Sequence, residues 1–168
     1  MTYYPDLATK GFIVAGEQVR SVGWLDSTHS FSVGVCPTGL VEQLERHISM
    51  AWLPRVSCGF HECSFCHPGS DLPPVQRPRA TAGQRITAGT QLVLIPGNGF
   101  LYSAPDLITH YIRQHGYLPP QEFVDAVNRC PDQGTPPYIE LMKPFLHLWK
   151  IDEEIAIRIA GDKYRLPR

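Results

Sequence analysis

Short apolar segments alternate with polar and turn-forming residues along the first half of the chain. Gln18 to Leu25 is rich in strand-forming residues and predicts a strand. Apolar side chains at Leu40, Leu44 and Ile48 then recur at helical spacing and predict a helix that Thr38 caps. That helix should end near Met50.

The next apolar segment has the pattern of a β-hairpin. Gln91 to Ile95 predicts a strand, Pro96 to Gly99 a four-residue turn, and Phe100 to Tyr102 the returning strand. Ser103 then predicts a helix start, with Pro105 in its first turn and Asp106 completing a capping box. This helix should run through His115 and end at Gly116.

The C-terminal pattern is less regular. Gln121 to Cys130 predicts a second helix, and Tyr138 to Trp149 a third whose middle Pro144 disfavours. Apolar residues alternate with smaller or charged ones from Glu154 to Ala160, and this period of two predicts a strand. The expected class is α+β: a small domain with short antiparallel strands and three or four helices.

Composition favours one globular domain over residues 1–168, although the chain contains 16 prolines and 14 glycines. Residues 69–83 are rich in Pro, Gly, Arg and Ser and predict a flexible connector. The net charge of −1 gives no clear signal for nucleic acid. No apolar run reaches the ~20 residues of a membrane span, and no signal peptide is evident, so we expect a cytoplasmic protein.

Five cysteines in such a compartment predict free thiols or metal ligands, not disulfides. Cys63 and Cys66 form a C-x₂-C pair, a spacing at which two thiolates of one turn reach one zinc ion. His61 lies two residues before this pair, and Cys58 stands three residues before His61. The segment is a poor helix start, which disfavours a redox C-x-x-C.

One short segment does not easily supply all four corners of a tetrahedron, so we expect a ligand from elsewhere in the chain. His110 and His115 are the candidates, because both lie on a well-marked predicted helix. They are five positions apart, about 140° around a helix, so they should not both face one ion unless the helix ends early. His115 could instead interact with free carbonyls at the helix C-terminus. The predicted zinc ligands are therefore His61, Cys63, Cys66 and His110, with Cys58 and His115 as alternatives.

Two functions follow from such a site. A closed site favours a small binding or adaptor module with structural zinc and a protein partner. The alternative is a zinc enzyme with an open metal position near Glu62, the carboxylate within the cluster. The H-x-E deaminase and H-E-x-x-H patterns are absent, and the sequence does not decide whether the protein is an enzyme. A zinc knuckle for nucleic acid is disfavoured by the charge.

The chain resembles a family of small uncharacterised bacterial proteins, found in actinomycetes and myxobacteria. The resemblance rests on a GFHxCxFC segment at Gly59 to Cys66 and on a YxAPxLIxHYxxxHxYxPP segment from Tyr102 to Pro120. It implies that the Cys-rich segment and the two-histidine helix belong to one constellation. It implies no activity. Cys58 is outside the shared pattern, and residues 132–168 form an element appended to it, which could serve a specific partner.

Overall fold

A three-stranded sheet forms the centre of the computed structural model, which describes residues 3–11, 15–55, 61–66, 88–89 and 91–163. Strand β1 (Val19–Ser21) pairs in parallel with β5 (Leu101–Pro105), and β5 pairs antiparallel with β4 (Leu92–Pro96). The sheet is therefore mixed. A separate two-stranded antiparallel ladder joins β2 (His61–Glu62) to β3 (Ala88–Gly89).

The hairpin of β4 and β5 is confirmed, but β5 continues further than predicted. Ser103 pairs with Ser21 on one side and Leu94 on the other, and it is fully buried within the strand. It therefore cannot cap a helix, and the predicted capping box is wrong. Helix α2 (Ile108–His115) begins only after Leu107 and makes no side-chain capping hydrogen bond at its N-terminus.

Helices α1 (Leu40–Ser49) and α3 (Gln121–Arg129) are confirmed at the predicted positions. They pack on each other and on β4. The residue before α1 is Gly39, in the left-handed region at φ 86°, and no side chain caps the helix, so the predicted Thr38 cap is wrong.

The regular structure described between residues 136 and 163 is all helical. Helix α4 (Pro136–Met142) gives way to a 3₁₀ helix (Lys143–Trp149) at Pro144, and α5 (Glu153–Lys163) follows. The predicted strand at Glu154 to Ala160 is wrong. Ala156 and Ala160, four residues apart, face the core, while Ile157 is about half exposed. The spacing of the small residues, not of the isoleucines, sets the buried face.

The α+β class is confirmed, with one three-stranded sheet and five α-helices in the part of the chain that the structure describes. The predicted connector at residues 69–83 lies outside the described residues. None of the described helices combines the length and the apolar character needed to cross a bilayer. The fold places α2, which follows β5 in the chain, near the turn after β2.

Candidate metal centre

Two thiols and two imidazoles meet at one point of the molecule. The cluster comprises Cys63, Cys66, His110 and His115, and one ligand atom from each lies within 4.8 Å of all the others. Cys63 is fully buried, both histidines are half-buried and Cys66 is exposed. The cluster therefore lies at the edge of the core, with one thiol at the surface.

A tight turn supplies the two thiols. Cys63 immediately follows β2, and residues 64–66 turn the chain so that Cys66 approaches the same point. Backbone N–H groups of Cys66 and Phe65 donate hydrogen bonds to the Cys63 sulfur. The backbone N–H of Ser27 donates to the Ser64 hydroxyl oxygen at 2.9 Å and ties the turn to the neighbouring loop.

Helix α2 supplies the two imidazoles. Its buried face, which includes Ile108 and Tyr111, holds it against the core. His115 is its last residue, and Gly116 follows with φ 64°, a left-handed conformation that glycine adopts without strain. The helix therefore ends at His115, and the Nε2 atoms of His110 and His115 converge to 3.2 Å. The helix thus ends where predicted and not early, and the two imidazoles meet nevertheless, because helical side chains lean toward the helix N-terminus, so that His115 reaches back to His110.

Four of the six distances between ligand atoms match the edges of a zinc tetrahedron. With zinc bonds of about 2.3 Å to sulfur and about 2.0 Å to nitrogen, the edges should be about 3.3 Å between nitrogens and about 3.5 Å between nitrogen and sulfur. The Cys63 sulfur lies 3.3 Å from His115 Nε2. The Cys66 sulfur lies 3.4 Å from the Nε2 atoms of both His110 and His115. The donor set and these four distances fit a zinc ion, and the two remaining pairs lie within 4.8 Å.

The electrostatics of the cluster favour a bound cation. Burial raises the pKa of the Cys63 thiol to about 11, against the opposing effect of the two N–H donors, and the neighbouring Cys66 raises it further. Burial lowers the pKa of His115, so that its imidazole is neutral. A neutral imidazole offers the lone pair that a metal requires, and a metal provides the positive charge that a buried thiolate lacks.

Aromatic rings cover the inner side of the cluster. Phe65, between the two cysteines, lies with its ring centroid 5.0 Å from that of His115 and 6.0 Å from that of Tyr111. Phe65 also packs edge-to-face on Phe31, with ring centroids 5.3 Å apart. These contacts limit the movement of the turn and of the His115 ring, so the cluster is preorganised.

The structure places three of the four sequence-predicted ligands together, namely Cys63, Cys66 and His110, and it adds His115. For His61 it describes only the backbone, paired with Gly89 in the β2–β3 ladder. The side chain of His61 and the whole of Cys58 lie outside the described residues. The sequence argument kept His115 only as an alternative, because its angular separation from His110 disfavoured a shared ion.

The fold and the cluster define a small α+β protein with a Cys₂His₂ group that could hold a metal ion. The chain belongs to the family described as a domain of unknown function, DUF7919, which matches residues 2–128. The predicted resemblance to an uncharacterised family is confirmed at that level. The matched region contains both segments that form the cluster. No curated protein and no solved structure matches the chain.

Proposed function

We propose that Cys63, Cys66, His110 and His115 bind one zinc ion in a closed structural site. The observation that carries this proposal is the set of four ligand atoms within 4.8 Å of one another. Two sulfurs and two nitrogens in tetrahedral arrangement are typical of structural zinc. His115 thus takes the place that the sequence argument gave to His61.

The zinc ion would connect two parts of the chain that are distant in sequence. Among the described residues, the turn at 63–66 is also held by the two-residue ladder of β2 and β3, by the hydrogen bond from Ser27 and by the ring contacts of Phe65. Such short ladders contribute little by themselves. Bonds from the ion to His110 and His115 fix this turn on α2, and the free energy of metal binding then stabilises the folded state.

A closed site favours a binding or adaptor module over a zinc enzyme. Catalysis at zinc requires an open coordination position, and four protein ligands leave none. Glu62, the base that a zinc enzyme would use here, is the last residue of β2 and directly precedes Cys63. Catalysis at this site would require one of the four protein ligands to dissociate from the zinc ion.

We infer a protein partner and a cytoplasmic location for this module. Helix α5 carries an exposed apolar side chain at Ile157, which supports a protein-binding surface on that side of the helix. The four described cysteines are all free, which supports a reducing compartment. An Ile157→Glu variant should weaken a complex reconstituted from purified partner, whereas an Arg158→Glu variant at the neighbouring exposed position serves as the surface control.

The zinc proposal is tested by metal content after purification in the presence of zinc. We expect one zinc per chain in the wild-type protein and loss of zinc in Cys63→Ser. The control is His147→Ala, because His147 is exposed on the 3₁₀ helix. Full zinc retention in both Cys63→Ser and His115→Ala would overturn the proposed ligand set.

A further inference from the structure

The two cysteines of the metal cluster differ in their access to solvent. Cys63 is fully buried, whereas Cys66 lies exposed at the surface. Of the other thiols in the described part of the chain, Cys130 is buried and Cys36 is half-buried, so Cys66 is the exposed one among these four. A reagent dissolved in water therefore reaches the cluster first at the Cys66 sulfur.

The two thiols of the cluster are also in contact with each other. Their side chains share a hydrogen bond, and their sulfur atoms lie within 4.8 Å. Ser64 and Phe65 separate them in the chain, and the resulting C-x₂-C spacing is one that a disulfide can close. The buried sulfur of Cys63 thus lies where it can attack the Cys66 sulfur once that sulfur has been oxidised.

We propose that Cys63 and Cys66 form an oxidation-sensitive pair, which hydrogen peroxide converts to a disulfide with release of the zinc ion. This inference rests on the proposed function, because it concerns the same four ligands, and it adds regulation to that site. Zinc connects the turn to α2 only while both sulfurs are thiolates, since the thiolate is the form of cysteine that binds metal. The sequence disfavours a dithiol oxidoreductase, and the inference requires none because the oxidant is a peroxide.

The reaction consists of two displacements in sequence. The Cys66 thiolate attacks one oxygen of hydrogen peroxide, so that an S–O bond forms, the O–O bond breaks and hydroxide leaves. The Cys63 thiolate then attacks the sulfur of the Cys66 sulfenic acid, which forms the S–S bond and releases a second hydroxide. Protons from the solvent convert both hydroxides to water. The two sulfurs together lose two electrons, which reduce the peroxide, and zinc leaves as the divalent ion.

Release of the ion disconnects the turn at residues 63–66 from α2. His110 and His115 alone offer two ligands, whereas structural zinc takes four. Among the described residues, the turn then keeps the β2–β3 ladder, the hydrogen bond from Ser27 and the ring contacts of Phe65. The Phe65 ring lies against that of His115, so movement of the turn also uncovers the C-terminal end of α2. Oxidation therefore loosens these two segments together.

The test exposes the zinc-loaded full chain to a small excess of hydrogen peroxide and follows released zinc with a chromogenic chelator. We expect loss of most of the bound zinc and a Cys63–Cys66 disulfide in peptide mapping, and a phosphine reductant followed by added zinc should restore the starting state. Zinc that stays bound, or a disulfide from either ligand to another cysteine, would overturn the proposal. A chain that holds no zinc before peroxide is added would instead overturn the proposed function, and this inference with it.

Two variants and a second measurement assign the oxidation to this pair. Cys66→His keeps four ligands but removes the exposed thiol, so it should bind zinc and release it to peroxide at least about tenfold more slowly than the wild-type protein. Cys36→Ser, which removes a thiol outside the cluster, should leave the release rate unchanged. After oxidation of the wild-type protein, amide hydrogen exchange should increase at residues 61–66 and at the end of α2, but not in α3, which packs on α1 and β4. Wild-type release from zinc-loaded Cys66→His, or unchanged exchange at residues 61–66, would refute the proposal.

Discussion

At the scale of single residues, the four ligands differ in exposure, and the differences have consequences for metal binding. Cys63 is fully buried and accepts two backbone N–H donors, whereas Cys66 is exposed. The burial of Cys63 holds its pKa at about 11, so the metal-free protein carries a neutral thiol at pH 7. Zinc must therefore displace a proton from Cys63 when it binds.

We predict that zinc binding releases protons at neutral pH and weakens as the pH falls. The sign follows from the raised pKa, because protonated thiol is the dominant metal-free form throughout this range. Calorimetric titration in buffers of different ionisation enthalpy measures the number of protons released. A value of zero at pH 7 would contradict a thiolate ligand at Cys63.

Each of the four ligands should be required for tight zinc binding. We predict that His115→Ala lowers zinc affinity by more than about 100-fold, because substitutions even outside the first coordination shell cost 10- to 100-fold. Competition with a chromogenic chelator measures the affinity. His147→Ala should match the wild-type protein, and an equal loss in that control would point to a nonspecific effect.

At the scale of elements, the C-terminal helix α5 provides a direct comparison between the pattern in the sequence and the packing in the structure. The Ala156 carbonyl accepts a hydrogen bond from the Trp52 indole N–H at 3.1 Å, and Ala156 itself is fully buried. Gln133 connects the same region to β4, since its amide donates to the Leu94 carbonyl at 2.8 Å. These contacts support the prediction that the described C-terminal residues, 132–163, belong to one domain with the sheet and helices before them.

Substitutions in α5 test this packing. We predict that Ala156→Leu lowers the free energy of unfolding by about 1–3 kcal/mol, because Ala156 is fully buried and the larger side chain must displace its neighbours. Ile157→Ala should change it by no more than about 0.5 kcal/mol, because that side chain is largely exposed. Urea denaturation measures both. The opposite order of effects would favour the strand that the alternating isoleucines predicted.

Helix α1 carries a buried histidine whose charge state couples to stability. His47 is fully buried and its imidazole faces the Val127 backbone of α3, but among the described residues neither ring nitrogen has a hydrogen-bond partner of good geometry. Burial lowers its pKa, as does the nearby Arg46, while Asp132 acts in the opposite direction. The folded protein thus holds the imidazole neutral, whereas the unfolded chain binds a proton below its ordinary pKa of about 6.5.

We predict that this histidine makes the protein less stable as the pH falls below about 6.5. The unfolded state then binds more protons than the folded state, so the free energy of unfolding decreases by up to about 1.4 kcal/mol per pH unit from this group. Urea denaturation of the wild-type protein and of His47→Leu between pH 5 and 7 measures the difference in slope. Parallel slopes would show that His47 does not titrate on unfolding.

The extent to which these elements and the site follow from the sequence depends on how local each determinant is. Helices α1 and α3 and the β4–β5 hairpin follow from local periodicity and turn residues. The end of α2 follows from Gly116, because glycine adopts the positive φ of a helix C-terminus without strain. The strand state of Ser103 does not, because pairing with the distant β1 overrides a local helix signal. The C-x₂-C pair was visible in sequence, whereas the convergence of His110 and His115 depends on how their side chains lean along α2, which the angle around the helix does not reveal.

At the scale of the whole molecule, the account makes zinc a part of the folded structure. Binding only to the folded state stabilises it by about 4 kcal/mol when free zinc is about 1,000 times the dissociation constant. For a protein of this size, we predict that chelation lowers the melting temperature by roughly 10 °C. Differential scanning calorimetry with and without chelator measures the change, and re-addition of zinc should restore it. An unchanged melting temperature would exclude a structural role for the ion.

The most direct test of the central claim is X-ray absorption at the zinc edge of the loaded protein. We predict two sulfur ligands at about 2.3 Å and two imidazole nitrogens at about 2.0–2.1 Å. His115→Ala should lose one imidazole contribution, whereas His61→Ala should leave the spectrum unchanged. A site with one sulfur ligand, or a spectrum that changes in His61→Ala but not in His115→Ala, would contradict the Cys63, Cys66, His110 and His115 centre.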